Sequence, residues 1–522
     1  MPQRCRLILF LFSLFLSISV DGRSQAAQPA ASRLRFRVKL EKELSPAGAS
    51  GRLIVFMTDS PQQRETLNTG FVPGATWIAA MEVEHLAPGG VLELDPDLLA
   101  FPRPFSEAKP GTWQVMALLD PNHTYAYHGE DEGDLKSAVR RLENVDPARA
   151  GTIELTLSRR LPARFTPADT ENVKLVEFQS PLLTRFWGRP IVMRAGVALP
   201  RGYGTDVKTS YPVVYHVHGF GGDHTGAWRQ GVPSNEELGE GRRLPMIHVY
   251  LDGSFPTGHH EFADSVNNGP WGRALTEELI PHLEKRFRAE PRPRARFLTG
   301  HSSGGWSTLW LQVTYPDFFG GTWSTAPDPV DLRSWTGINA TPGSKDNAYR
   351  EADGSPKQLV RRGGKWIASI EEFARQEEVL GEYGGQFASF EWVWSPRGPD
   401  GRPLKLFNRV SGELNPEVLK YWEKYDIRLI LERNWTKLGP KLRGKIHVIC
   451  GDADTFRLEE GVKLLCGFFK GKGSDAVCEL VPERDHGNLY QPYQTYPDGL
   501  GARIQREMEA AYRQAASART KR

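Results

Sequence analysis

The sequence predicts an α/β protein: a mostly parallel sheet with flanking helices, preceded by a β-sandwich-like domain and interrupted by a mixed insertion. Three observations lead there. From about Leu34 to Leu157, short alternating or clustered apolar runs are separated by Pro and Gly. From about Val176, buried-type strands that end in glycine alternate with helically spaced segments. Between about Asp331 and Lys424 that alternation stops, and charges, tryptophans and turns such as "SPRGPDGRPL" predominate. Strand and helix in strict alternation give a parallel sheet covered on both faces, whereas runs of short strands pack as a sandwich.

In the first domain "LRFRVKL", "GRLIVFMTD", "TWIAAMEV", "GTWQVMALL" and "GTIELTLS" read as strands. No nucleophilic or charged cluster stands out among them, so residues 33–160 are expected to form an accessory domain. Residues 161–175, within "SRRLPARFTPADTENVK", read as a linker. The second domain is expected over 176–515. "YPVVYHVHG", "MIHVYLDG" and "ARFLTGHS" are its first buried strands. "GPWGRALTEELIPHLEKRF" places Leu275, Leu279 and Leu283 on one helical face, and "SGGWSTLWLQVTY" is a helix stopped by Pro316. After an insertion at 331–424 the rhythm resumes with "KIHVICGDADTF", "GVKLLCGFFKG" and "AVCELVPE", followed by the loop "DHGNLY". The tail from Arg503 to Arg513 is helix-like.

The N-terminus is of a different kind. Arg4 and Arg6 precede an apolar run from Leu7 to Val20, then small and polar residues. This is the form of a secretory signal peptide at 1–26, with cleavage expected after Ala26. The run is shorter than the roughly 20 residues that span a bilayer, and no later segment is long and apolar enough. The mature chain is therefore expected to be secreted or periplasmic, without a membrane span. Basic and acidic totals of 66 and 63 leave a formal charge of +3. Such balance excludes a whole-protein field for gathering nucleic acid. Once Cys5 leaves with the signal, Cys466 and Cys478 can close a small loop, and Cys450 ends an apolar strand as a buried thiol. No Cys-x-x-Cys pair is present for structural zinc. Oligomeric state is not legible.

The chemistry centres on Gly300-His301-Ser302-Ser303-Gly304. Gly-x-Ser-x-Gly acquires meaning between a buried strand and a helix, where a sharp turn raises a serine hydroxyl above the sheet edge. A serine needs a base, and His486, in a loop after the last expected strand, is the candidate. His216 and His218 are assigned to packing or loop shaping, and His301 to packing. The acid should follow a strand between them. "HVICGDADTF" offers Asp452 and Asp454, of which Asp454 is preferred because it reaches farther, with Asp452 capping the turn. The order Ser302, Asp454, His486 places the triad in the sequence serine–acid–histidine. "HVHGFGGDH" supplies a glycine-rich turn after an early strand. The N–H of Phe220 or Gly221, with that of Ser303, would hold an oxyanion.

With these residues in place, the segment from about Val176 to Gln505 resembles the "putative esterase" (esterase D-like) family of α/β-hydrolases. "HGFGG", "GPWGRALTEELIPHLEKRF", "GHSSGGW", "GDADTF" and "DHGN" carry the resemblance. The layout, with a β-rich domain first, is similar to enterochelin esterases. The resemblance implies an α/β-hydrolase fold, a Ser302–Asp454–His486 triad and oxyanion N–H groups from Phe220 and Ser303. It also implies carboxylic-ester hydrolysis through an acyl-enzyme without metal or organic cofactor, on a small-molecule or carbohydrate-linked ester. Ser303 stands where many members have methionine. Aromatic residues of the insertion (Trp366, Phe390, Trp392, Trp394, Phe407) would line an aromatic pocket or form a local core. The alternatives are an acyltransferase or peptidase with the same triad, or a non-catalytic binding protein on this scaffold.

Overall fold

The computed structural model describes residues 33–520, apart from 125–129, 164, 166, 206, 232–243 and 382. The expected signal peptide lies outside these residues. The N-terminal strands are β1 (Arg35–Leu40), β2 (Ala49–Thr58), β3 (Trp77–Leu86), β4 (Val91–Leu94), β5 (Ala100–Phe101), β6 (Gly111–Asp120), β7 (Leu135–Ser137), β8 (Arg140–Val145) and β9 (Thr152–Arg160). They join in one path, β4-β1-β9-β7-β6-β2-β3-β5, with β8 against β6. The five segments expected as strands correspond to β1, β2, β3, β6 and β9.

β2 shows why its sequence is continuously apolar. Leu53, Val55 and Met57 pack with Phe36, Val38 and Leu40 in the core of this unit. Ile54 and Phe56, pointing the other way, join a second core that includes Phe373 and Trp394 from the insertion. Both faces of the strand are therefore buried, and alternation disappears.

The second unit opens with β10 (Val173–Gln179), α1 (Pro181–Trp187), β11 (Val192–Ala198), β12 (Val213–Val217), α2 (Gly226–Gln230) and β13 (Ile247–Leu251). β10 begins ahead of the boundary expected at 176. Two small hairpins follow, β14 (Ser254–Phe255) with β15 (Gly258–His259), and β16 (Asp264–Ser265) with β17 (Gly269–Pro270). α3 (Trp271–Arg273) and α4 (Ile280–Arg286) are joined by a π-helical stretch, Ala274–Leu279. Leu275, Leu279 and Leu283 are all buried on the sheet, as their spacing requires. β18 (Arg296–His301), α5 (Ser303–Thr314) and β19 (Gly321–Thr325) complete the centre of the sheet.

The insertion holds a hairpin, β20 (Gln358–Arg362) and β21 (Lys365–Ser369), then α6 (Ile370–Leu380), α7 (Gln386–Trp394) and α8 (Pro416–Trp422). A capping box between Ser369 and Glu372 starts α6. α9 (Ile427–Leu442), β22 (Ile446–Gly451), α10 (Leu458–Gly471), β23 (Val477–Val481) and α11 (Leu500–Thr520) close the chain. Cys466 on α10 and Cys478 on β23 form a disulfide, and Cys450 is a buried free thiol.

The large sheet runs β10-β11-β13-β12-β18-β19-β22-β23. β10–β11 and β11–β13 are antiparallel, and all other pairs are parallel. The chain leaves β12 for β13 on one side and reaches β18 on the other. Strand order reverses there, and the carboxyl ends of β12 and β18 open a crevice. Among the described residues, no helix is long and apolar enough to cross a membrane.

Candidate active site

Ser302 sits directly between β18 and α5, with φ 60° and ψ −125°. A non-glycine residue held in this region costs about 1–3 kcal/mol and persists only where its surroundings enforce it. Here the enforcing contacts are visible. The Ser302 N–H donates to the Thr325 carbonyl at 3.0 Å, and its own carbonyl accepts from Trp306 at 3.0 Å and Asp328 at 3.2 Å. The two glycines of the motif are required by close approach. A Cβ on Gly300 would lie 2.2 Å from the Gly304 oxygen, and one on Gly304 2.0 Å from the Val217 oxygen. The stretch is a strained elbow, as its strand-to-helix setting predicts.

The glycine-rich turn after β12 lies against this elbow. A Cβ on Gly219 would be 3.1 Å from the His301 oxygen and 3.2 Å from the Ser302 Cβ. His218 braces the turn: its Nε2 accepts from the Gly253 N–H at 2.8 Å, so Nδ1 carries the proton and donates to the Gly219 carbonyl at 2.7 Å. His259 Nε2 in turn donates to the His218 carbonyl at 3.1 Å, because its Nδ1 accepts from the Glu261 N–H. Burial keeps His259 well below the ordinary imidazole range. His216 pairs with His248 at 2.8 Å inside the sheet. Both histidines of the strand thus shape structure, in line with their sequence assignment.

Asp454 follows β22 and is fully buried. Its Oδ2 accepts from His486 Nδ1 at 2.7 Å, while Oδ1 accepts from the Phe456 N–H at 2.8 Å. Burial pushes this carboxyl up, but His486 and the backbone donor outweigh it, and the net direction is below the usual carboxylate range. For His486, burial acts downward and the Asp454 charge and hydrogen bond act upward, with Asp328 and Asp485 adding to them. The net direction is above the ordinary imidazole value. Asp452 instead accepts from the Glu483 N–H at 2.7 Å, closing the turn. The loop bearing His486 is fixed by Asp485, which accepts from the Gly487 and Asn488 N–H groups at 3.0 and 2.9 Å.

Ser302, His486, Gly219 and Phe220 line one cavity of about 300 Å³. Its walls are apolar and include Phe71, Phe220, Phe373, Phe387, Phe390 and Phe456. Phe71 comes from the β2–β3 loop of the N-terminal unit and meets Phe220, Phe373 and Phe456 at centroid distances of 5.9, 5.3 and 5.5 Å. Of the insertion aromatics considered from sequence, only Phe390 reaches this wall. Trp366 is 44% exposed, and Trp394 packs with Trp306 and Trp422 in the core under the insertion.

Three contributors escape sequence reasoning. Asp328, just past β19, is buried in the cavity with Oδ1 3.5 Å from Ser302 Oγ. Arg361 of the β20–β21 hairpin donates to the Asp454 carbonyl at 2.8 Å and to Glu459 at 2.7 Å, so the insertion grips the acid-bearing loop. His301, expected only to pack, lies 4.4 Å from His486 in ring contact, and burial pushes it to about 3, keeping it neutral. Asp328 follows a strand that its own sequence does not reveal, and nothing local signals Arg361. Among the described residues, no group of three or more His, Cys, Asp or Glu side chains is placed to hold a metal ion.

The sheet order and the elbow define the α/β-hydrolase class. Within it, residues 191–373 match the family model described as "Putative esterase". A curated "Endo-1,4-beta-xylanase/feruloyl esterase" from Xylanibacter ruminicola is 30% identical over 146 residues. That match takes in 26% of this chain and only 20% of the relative. A solved ferulic acid esterase matches 65% of this chain and 98% of its own, at 13% identity and a TM-score of 0.42. The CE1 ferulic acid esterase of Anaeromyces mucronatus, without substrate, matches 66% and 95% at 16% identity and a TM-score of 0.34. An S-formylglutathione hydrolase from Agrobacterium tumefaciens matches 65% and 94% at 15% and 0.35.

Proposed function

We propose that this chain is an exported serine esterase that cleaves carboxylic esters through an acyl-enzyme on Ser302. The observation that carries the reading is the buried Asp454–His486 pair, 2.7 Å apart, opening on the same cavity as the strained Ser302. Asp454 fixes the His486 tautomer with the proton on Nδ1, leaving Nε2 as the base. Ser302 Oγ attacks the ester carbonyl while its proton passes to His486. The backbone N–H groups of Phe220 and Ser303 hold the oxyanion, and loss of one such donor typically costs about 100- to 1,000-fold. His486 then protonates the departing alcohol, and water releases the acid.

The phenylalanine walls favour an aromatic or otherwise bulky acyl group, consistent with the feruloyl esterase named among the relatives. In this reading residues 33–160 are a β-sandwich-like accessory domain, 161–175 a linker and 176–515 the hydrolase domain, with the insertion at 331–424. A signal peptide at 1–26 directs export. The test is a fluorophosphonate probe on the purified chain and on Ser302→Ala, followed by assays on acetyl and aryl-acyl esters. Labelling and turnover should disappear together in the variant. A variant that still labels and turns over, or a folded wild type that does neither, would falsify the assignment.

A further inference from the structure

Asp328 lies in the sequence Pro327-Asp328-Pro329, beyond the end of β19, the strand hydrogen-bonded to the one that carries the elbow. Its side chain is 4% exposed, and it lines the same cavity as Ser302 and His486. Oδ1 lies 3.5 Å from Ser302 Oγ, Oδ2 accepts the Ser303 hydroxyl at 2.6 Å, and Gln386 Nε2 donates to Oδ2 at 3.4 Å. The ionisable groups around it are His486, Asp454 and, behind it, Glu261. Burial holds the Glu261 carboxyl well above its usual range, so this neighbour stays neutral. Burial also raises Asp328, to about 6, against the Ser303 hydroxyl and His486, which pull it down.

Resting on the serine-esterase reading, we infer that Asp328 is a second carboxylate of the catalytic constellation. It accepts the Ser302 hydroxyl in the free enzyme and, ionised, shares with Asp454 the stabilisation of the imidazolium formed on His486. In the attack step the Ser302 proton still goes to His486 Nε2 as the Oγ–C bond forms; Asp328 takes no proton and supplies charge. The site's own second serine fits this arrangement, because the Ser303 hydroxyl gives the carboxylate its shortest hydrogen bond, which a larger apolar side chain would remove.

Two ionisations must then be complete for full activity, His486 neutral and Asp328 charged. The acid limb of log(kcat/KM) against pH is expected to approach a slope of two. In Asp328→Asn the slope should fall to one. The limb should also move to lower pH by about one unit, with a roughly tenfold lower plateau, because His486 loses a neighbouring negative charge. The rate of fluorophosphonate labelling against pH should follow the same change, independently of any ester. Ser303→Ala provides a second variant should Asp328→Asn not fold. Removing the hydroxyl that lowers Asp328 should raise its midpoint and extend the acid limb to higher pH. If the wild type is active and both variants superimpose on its profile after scaling, Asp328 is only structural and the inference is overturned. A folded wild type that neither labels nor turns over would overturn the esterase reading itself.

Discussion

At the scale of single residues, the site separates two neighbouring aspartates by what each accepts. Asp454 receives His486 Nδ1, whereas Asp452 receives a backbone N–H on the far side of the turn. Asp454→Asn removes the charge that opposes burial at His486 and turns a donor toward Nδ1, favouring the wrong tautomer. Its kcat should fall by about 10,000-fold, while Asp452→Asn should retain most of the activity. Equal losses in the two variants would reject the assignment. The pH dependence follows from the same pair. In the proposed mechanism His486 must be neutral to act as a base, and Asp454 raises it above the ordinary imidazole value. Activity should therefore decline as pH falls through a midpoint above that of a free imidazole, and the residual activity of Asp454→Asn should show this midpoint displaced downward.

At the scale of elements, the site is set by the carboxyl ends of β12, β18, β19 and β22 and by the turns that follow them. The glycines of the elbow are its steric condition. Gly304→Ala would drive a Cβ into the Val217 carbonyl of β12, a backbone atom that cannot swing aside. Chemical denaturation should show a loss of about 1–3 kcal/mol or more, accompanied by lost probe labelling. A variant as stable and reactive as the wild type would show that the elbow has more room than its geometry allows. These elements were legible because their strands are aliphatic and their turns carry Gly, Asp or His. β19 was not: "GTWST" is small and polar apart from Trp323, since its side chains meet α5 and the C-terminal helix rather than an aliphatic layer. Ser324 donates to the Gly305 carbonyl, and Trp323 Nε1 to Glu507. Without a legible β19, Asp328 has no strand to follow, although the same strand-end logic points to Asp454.

At the scale of the whole molecule, the N-terminal unit, the insertion and the hydrolase sheet are joined through one another. Arg52 on β2 donates to the Glu378 and Val379 carbonyls at the end of α6, and Gln376 on α6 donates to the Gly70 carbonyl. Sequence periodicity does not reveal this contact, because the residues that meet are far apart in the chain and individually unremarkable. That contact places Phe71 of the N-terminal unit against Phe220, Phe373 and Phe456, so the wall of the Ser302 cavity is composite. If the wall selects the acyl group, Phe71→Ala should raise KM for aryl-acyl esters by about tenfold, the order expected for deleting a large apolar contact from a pocket. kcat/KM for acetyl esters, whose small acyl group gains least from an apolar wall, should stay close to the wild-type value, and probe labelling should be retained. Steady-state kinetics on the two ester classes decides the matter. A parallel loss on both would mean that Phe71 supports the fold at the domain contact, whereas a loss confined to the aryl-acyl series would make the N-terminal unit a determinant of specificity.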